Sequence, residues 1–178
     1  MNYNTVKIIQ ILVLKGTHFM NQSNLSKWLK LITILVGIMG VIVFIIILPQ
    51  IGKEIVMVNK EYEVYYWPWL LFIWFMAIPC YFVLVLFWSI CNEIASDRSF
   101  SIKNARLLGW ISRLAIVDTL ICFIGNILFF FLGMSHPSIF IGFLFVIFAG
   151  IAVAVVSAAL AHLVEKASVM QDENDLTI

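Results

Sequence analysis

Asp118 is the first candidate for chemistry in this sequence, because it is the only charged residue between Leu114 and His136. A charged side chain within a membrane-spanning helix is costly, and such residues commonly mark functional sites. Asp118, Cys122 and Asn126 recur at every fourth residue, which places them on one face of a helix. We expect this face to point into the protein, where Asp118 either ties helices together by hydrogen bonds or relays a proton or cation.

Depth along the helices indicates which side chains Asp118 meets. Counted at 1.5 Å per residue from Leu114, Asp118 lies about 6 Å into the hydrocarbon, level with Ser157 and Trp88. Asn126 lies about 18 Å in, where it is a candidate donor to the carbonyl of Phe75. The predicted intramembrane polar cluster is therefore Asp118, Cys122, Asn126, Ser157 and Trp88.

Small residues form a stripe on the last apolar stretch of the chain. Gly150, Ala154 and Ala158 recur at a spacing of four, which lets a second helix backbone approach closely. The stripe is expected to serve helix packing, either inside one chain or across a homo-oligomer.

Catalytic and metal-binding motifs are absent from the sequence. It contains no Gly-rich phosphate loop, no H-E-x-x-H and no G-x-S-x-G, and its three cysteines form no C-x-x-C pair. The three histidines, His18, His136 and His162, are far apart in the chain. We therefore expect no catalytic residue, no metal ion, no cofactor and no enzymatic activity.

The composition gives the class of protein that must position these residues. Of the 178 residues, 63% are hydrophobic and 12% are charged, against about 45–50% and about 25% in soluble domains. A soluble globular protein is therefore excluded, and an integral membrane protein is indicated. The net charge of +1 offers no general attraction to nucleic acid, so direct nucleic-acid binding is not expected.

Four long apolar stretches predict an all-α fold, a polytopic bundle of four transmembrane helices. The predicted transmembrane domain covers residues 31–161. It is preceded by a cytosolic arm at 1–30 and followed by a cytosolic acidic tail at 162–178. Met20 is an alternative start of the natural protein. The predicted helices cover about 31–48, 66–91, 107–132 and 138–161.

The distribution of Lys and Arg predicts the orientation. Nine of these residues lie before the first helix, between the second and third helices, or after the fourth, and only Lys53 and Lys60 lie on the opposite side. Basic residues favour the cytosolic side, so both termini are expected in the cytosol of a bacterial cell. The predicted location is the cytoplasmic membrane, with membrane lipid as a partner.

Two cytosolic segments are candidate docking surfaces. The loop between helices two and three leads into Lys103 and Arg106, whose charges favour either anionic lipid or a cytosolic protein. The acidic tail ends in apolar residues that can enter a groove. Its predicted docking residues are Asp172, Glu173, Asp175, Leu176 and Ile178.

Several strings resemble a known family. They are LSKWLK at 25–30, WPW at 67–69, AIPCY at 77–81, SFS at 99–101, FAGIA at 148–152 and ENDLTI at 173–178. Together they resemble the bacterial family called domain of unknown function 2975. The resemblance implies a four-helix membrane protein without established activity, often encoded beside a small helix-turn-helix regulator.

Two functions follow as expectations. The first is a non-enzymatic membrane partner or sensor for a small cytosolic helix-turn-helix transcription regulator. The alternative is a small transporter or channel subunit that uses Asp118.

Overall fold

The computed structural model describes residues 22–175, and for residues 22, 23, 172, 174 and 175 it describes the backbone only. The described chain is all-α. Four of its helical stretches are long and apolar enough to cross a membrane. The helices are α1 (Gln22–Ile42), α2 (Leu48–Val58), α3 (Tyr66–Ala95), α4 (Ile102–Phe131) and α5 (Pro137–Asp175).

The first membrane span consists of α1 and α2, joined by a π-helical segment at Val43–Ile47. It continues to Val58, beyond the end at residue 48 that Pro49 suggested. A proline ring clashes with the carbonyl four residues earlier in an α-helix. Here that residue, Ile45, lies in the wider π turn, and Pro49 occupies the first turn of α2. The helix therefore passes the proline instead of ending there.

Helices α3 and α4 form a hairpin at one end of the molecule. Ser101 caps α4 by accepting a hydrogen bond from the backbone N–H of Asn104 at 3.3 Å. The cap starts α4 at Ile102, five residues before the expected start at 107. We call this end of the bundle, which also holds the start of α1, the Ser96 end. The opposite end, with the turn before α5, is the His136 end.

Helix α5 is the longest helix, with 39 residues or about 58 Å at 1.5 Å per residue. A membrane span needs roughly 20 residues, so α5 projects well beyond the bilayer core at the Ser96 end. Residues 162–175, assigned to the acidic tail, continue this helix.

Backbone contacts between the helices follow the order of the chain. The first span packs on α3, α3 packs on α4, and α4 packs on α5. Within residues 22–175, the backbone of α5 approaches neither α1 nor α2. Only 6% of the most apolar part of the first span is buried, so its surface suits lipid.

Candidate functional site

Asp118 lies on α4 opposite Cys80 of α3. The Cys80 Sγ donates a weak hydrogen bond to Asp118 Oδ2 at 3.7 Å. The other oxygen, Oδ1, is buried and has no hydrogen-bond partner among the described residues. No Lys, Arg or His side chain of residues 22–175 lies within 4 Å of this carboxyl group to form an ion pair.

The expected depth of Asp118, level with Trp88, was wrong by about two helical turns, because Asp118 lies beside Cys80 of α3, the helix that also holds Trp88. In the α3–α4 hairpin, Asp118 is sixteen residues after Ile102 and Cys80 is fifteen residues before Ala95. Two antiparallel helices bring such positions together. Counting from the Ser101 cap, instead of from Leu114, therefore identifies Cys80 as the neighbour.

A cavity of about 630 Å³ lies beside Asp118 and is lined by residues from all four membrane spans. This volume falls in the range of roughly 300–1,000 Å³ that is typical of small-molecule sites. The first span and α5 both contribute to the lining, although their backbones do not approach each other. Its polar lining consists of Asp118, Thr119, Cys80, Cys122 and Ser138. Aromatic side chains in the lining are Phe44, Trp69 and Phe143.

The structure brings together two of the five residues of the predicted polar cluster. Asp118 and Cys122 line the cavity, and Cys80 and Thr119 join them. Trp88, Asn126 and Ser157 are not among the lining residues. Asp118 therefore does not share a cluster with Trp88 or Ser157.

Asn126 holds α4 to α5 near the His136 end. Its side chain is buried, and Nδ2 donates a hydrogen bond to the carbonyl of Phe140 at 3.2 Å. The expected acceptor, the carbonyl of Phe75, was wrong because the Asn126 side chain faces α5 instead of α3.

Trp88 lies near the Ser96 end. The ammonium of Lys30 sits 5.5 Å from the centre of its ring, and the guanidinium of Arg113 sits 5.2 Å from that of Trp110. These are cation–π contacts between basic and aromatic side chains typical of a membrane interface. Ser157 is buried on α5.

The small-residue stripe packs inside the chain, between α5 and α4. A Cβ atom built on Gly150 would overlap Thr119 Oγ1, so any larger residue would force the Thr119 side chain or the helix to shift. Ala154 is buried, and its carbonyl accepts a hydrogen bond from Ser112 Oγ at 2.9 Å. Ala158 is exposed, and packing of this part of the stripe against a second copy stays a prediction.

Ion pairs and hydrogen bonds hold the turn at the Ser96 end. The buried carboxylate of Glu93 pairs with Arg98 Nε at 3.1 Å and with Lys103 Nζ at 2.6 Å. Asn104, only 2% exposed, donates from Nδ2 to the carbonyls of Arg98 and Ser99 at 3.2 and 3.0 Å. The Lys103 ammonium thus forms an ion pair with Glu93. Arg106 is exposed.

At the same end of the molecule, α1 is tied to α3. Ser26 is buried, and its Oγ donates a hydrogen bond to the carbonyl of Cys91 at 2.6 Å. The start of the first span is therefore fixed against the end of α3.

The acidic docking residues are described only in part. Glu173 is exposed on α5. Asp172 and Asp175 lie on the backbone of α5, and their side chains fall outside what the structure describes, as do Leu176 and Ile178 altogether. Among the described residues, no group of three His, Cys, Asp or Glu side chains is arranged to hold a metal ion.

The four long apolar helices define a multi-pass membrane protein. The chain belongs to the family described as "Protein of unknown function (DUF2975)", whose model matches residues 58–178. The resemblance drawn from the sequence is thereby confirmed. The chain is also similar to the uncharacterized membrane protein YoaS of Bacillus subtilis strain 168, with 28% identity over 159 residues, 85% of this chain and 96% of that protein. No solved structure matches.

Proposed function

We propose that this protein is a non-enzymatic receptor in the bacterial cytoplasmic membrane. It binds a membrane-soluble molecule in the cavity, and this binding changes its interaction with a small cytosolic helix-turn-helix regulator. The observation that carries the proposal is the cavity of about 630 Å³ lined by all four membrane spans. We propose that it opens to the lipid between the first span and α5, whose backbones do not approach each other. A ligand dissolved in lipid can enter such a site without crossing the protein.

The cavity is connected to the proposed docking surface through two helices. Helices α3 and α4 both line the cavity, and both lead to the turn at the Ser96 end. The Glu93 ion pairs and the Asn104 hydrogen bonds join the two helix ends there. If the separation of α3 and α4 changed at the cavity, the joined helix ends would therefore move and shift this turn.

The docking surface is proposed to combine the turn with the projecting end of α5. Arg106 and Glu173 are exposed on these elements. Lys103 contributes through its ion pair with Glu93, which holds the turn in shape. The acidic residues Asp172, Glu173 and Asp175 can compete with DNA for a basic DNA-binding domain, which would keep the regulator at the membrane.

Affinity capture from native membranes tests this proposal. The tagged full chain is expected to retain a small helix-turn-helix protein encoded beside its gene, and deletion of residues 172–178 is expected to reduce the retained amount. Gly142→Phe should change that amount as well, because Gly142 lines the cavity and a side chain there meets open space.

Gly109→Phe is the matched control for capture. A side chain on Gly109 also meets open space, but this residue does not line the cavity. Retention of no helix-turn-helix protein by the unaltered chain, or equal retention by every variant, would overturn the receptor proposal.

Transport is the second candidate function. It is favoured by the buried Asp118 Oδ1, since carboxyl groups within membrane spans commonly line ion or proton pathways. Flux of protons or cations into liposomes that contain the purified protein, lost in Asp118→Asn, would support it. Absence of flux together with capture of the regulator would exclude it in favour of the receptor.

A further inference from the structure

The Asp118 carboxyl group lacks a countercharge in a cavity whose lining is mostly apolar. Oδ1 is buried without a hydrogen-bond partner, and Oδ2 accepts only the weak Cys80 thiol donor among the described residues. An ionised side chain within a membrane span costs about 2.5–3.5 kcal/mol even where the protein can adjust around it. A bound cation compensates this cost directly.

The remaining walls of the cavity suit a large, weakly hydrated cation. Phe44, Trp69 and Phe143 line the same space as Asp118, and most of the other lining residues are aliphatic. Trp69 is eleven residues before Cys80, the neighbour of Asp118, or about 16 Å along α3 at 1.5 Å per residue. The aromatic rings can therefore meet the apolar groups of a large ligand whose charge lies at Asp118. The oxygen-bearing side chains of the lining are those of Asp118, Thr119 and Ser138, whereas a Ca²⁺ ion takes about six to eight oxygen ligands.

Other occupants fit the cavity less well. A lipid acyl chain fills apolar space but leaves Asp118 Oδ1 without a partner. A fatty acid or another organic anion would bring a like charge toward the Asp118 carboxylate.

We infer that the cavity binds a lipophilic organic cation, such as a quaternary ammonium or phosphonium compound, with the Asp118 carboxylate as its counter-ion. This inference rests on the proposed function, since it names the class of ligand for the same site. The cation enters from the lipid between the first span and α5, places its charge at Asp118 and packs its apolar groups among the aromatic side chains.

The test uses two probes of the same shape and opposite charge. Radiolabelled tetraphenylphosphonium and tetraphenylborate are titrated against the full-length protein in lipid nanodiscs, and protein-free nanodiscs give the background from partition into lipid. The phosphonium is expected to bind saturably at one site per chain. The borate is expected to show no saturable binding.

Two variants locate the phosphonium site. Asp118→Asn is expected to weaken its binding at least about thirtyfold, the lower end of the effect of removing one partner of a buried charge pair. Asp97→Asn is the matched control, because it makes the same chemical change on an exposed turn residue. Gly142→Phe should weaken binding by filling the cavity, and Gly109→Phe should not.

The outcomes separate this inference from the receptor proposal. If both probes bind, with a loss in Gly142→Phe and no effect of Asp118→Asn, the cavity is a ligand site but the cation inference is wrong. If Asp97→Asn weakens the phosphonium as much as Asp118→Asn does, the effect is one of net charge and the inference is also wrong. Saturable binding of neither probe overturns the cation inference, and the regulator-capture experiment then decides the receptor proposal separately.

Discussion

The Asp118 carboxyl group contributes little to the stability of the fold, because its one hydrogen bond within the described chain comes from the Cys80 thiol at 3.7 Å. We expect Asp118→Asn to lower the free energy of unfolding by no more than about 1–2 kcal/mol, since hydrogen bonds between membrane helices average less than that. Unfolding by a denaturing detergent measures the change, with Cys80→Ser as a control that keeps a donor. An unfolded Asp118→Asn variant would show instead that Asp118 is a structural tie.

Asn104 is the residue on which the turn at the Ser96 end depends most. Asn104→Ala removes two hydrogen bonds to the carbonyls of Arg98 and Ser99. The loss is expected to be about 1–3 kcal/mol, because each hydrogen bond contributes about 0.5–1.5 kcal/mol.

Trypsin cleavage after Arg98 measures opening of this turn in the native protein. Asn104→Ala should be cleaved several-fold faster than the unaltered chain. Asn92→Ala, at an exposed position near the end of α3, should be cleaved at the unaltered rate. Equal rates for the two variants would contradict the proposed role of Asn104.

The interface between α4 and α5 is set by small residues, and Gly150 is its tightest point. Gly150→Leu should destabilise the protein by about 1–3 kcal/mol, since even a Cβ overlaps Thr119 Oγ1 on α4. Gly142→Leu, the same change in the same helix, meets open space and should not destabilise it. Thermal unfolding in mild detergent compares the two, and equal melting temperatures would show that the approach of α4 and α5 is looser than described.

The four membrane spans could be predicted from the sequence because each is a long stretch without charge, which only a helix can satisfy in lipid. The helix ends could not, because apolar length alone gives no end point. Ser101 caps α4 before its apolar stretch begins, and α5 continues through residues 162–175, which include charged and polar residues.

The register between helices decided how much of the site could be predicted. Asp118 and Cys122 share a helix face by spacing alone, and both line the cavity. Cys80 was missed because the depth of Asp118 was counted from the apolar boundary at Leu114. Thr119 was missed because it lies outside the spacing of four that joins Asp118 and Cys122. The cavity itself is lined by residues from all four spans, and no local pattern in the sequence encodes such long-range packing.

The orientation of the whole molecule determines whether a cytosolic regulator can reach the turn at the Ser96 end. Basic residues of the described chain concentrate at this end, and only Lys53 and Lys60 lie toward the other. Basic loops stay in the cytosol because moving Lys and Arg across the membrane is unfavourable. The Ser96 end, and with it the exposed Arg106 and Glu173, is therefore expected inside the cell.

Labelling of intact cells with a membrane-impermeant maleimide tests this orientation. Lys60→Cys, at the His136 end, should be labelled from outside, whereas Phe100→Cys, in the turn at the Ser96 end, should react only after the cells are opened; both positions are exposed. The unaltered chain gives the background, which should be low because Cys91 and Cys122 are buried and Cys80 lies within a membrane span. Labelling of Phe100→Cys in intact cells would reverse the orientation and remove the docking surface from the reach of any cytosolic regulator.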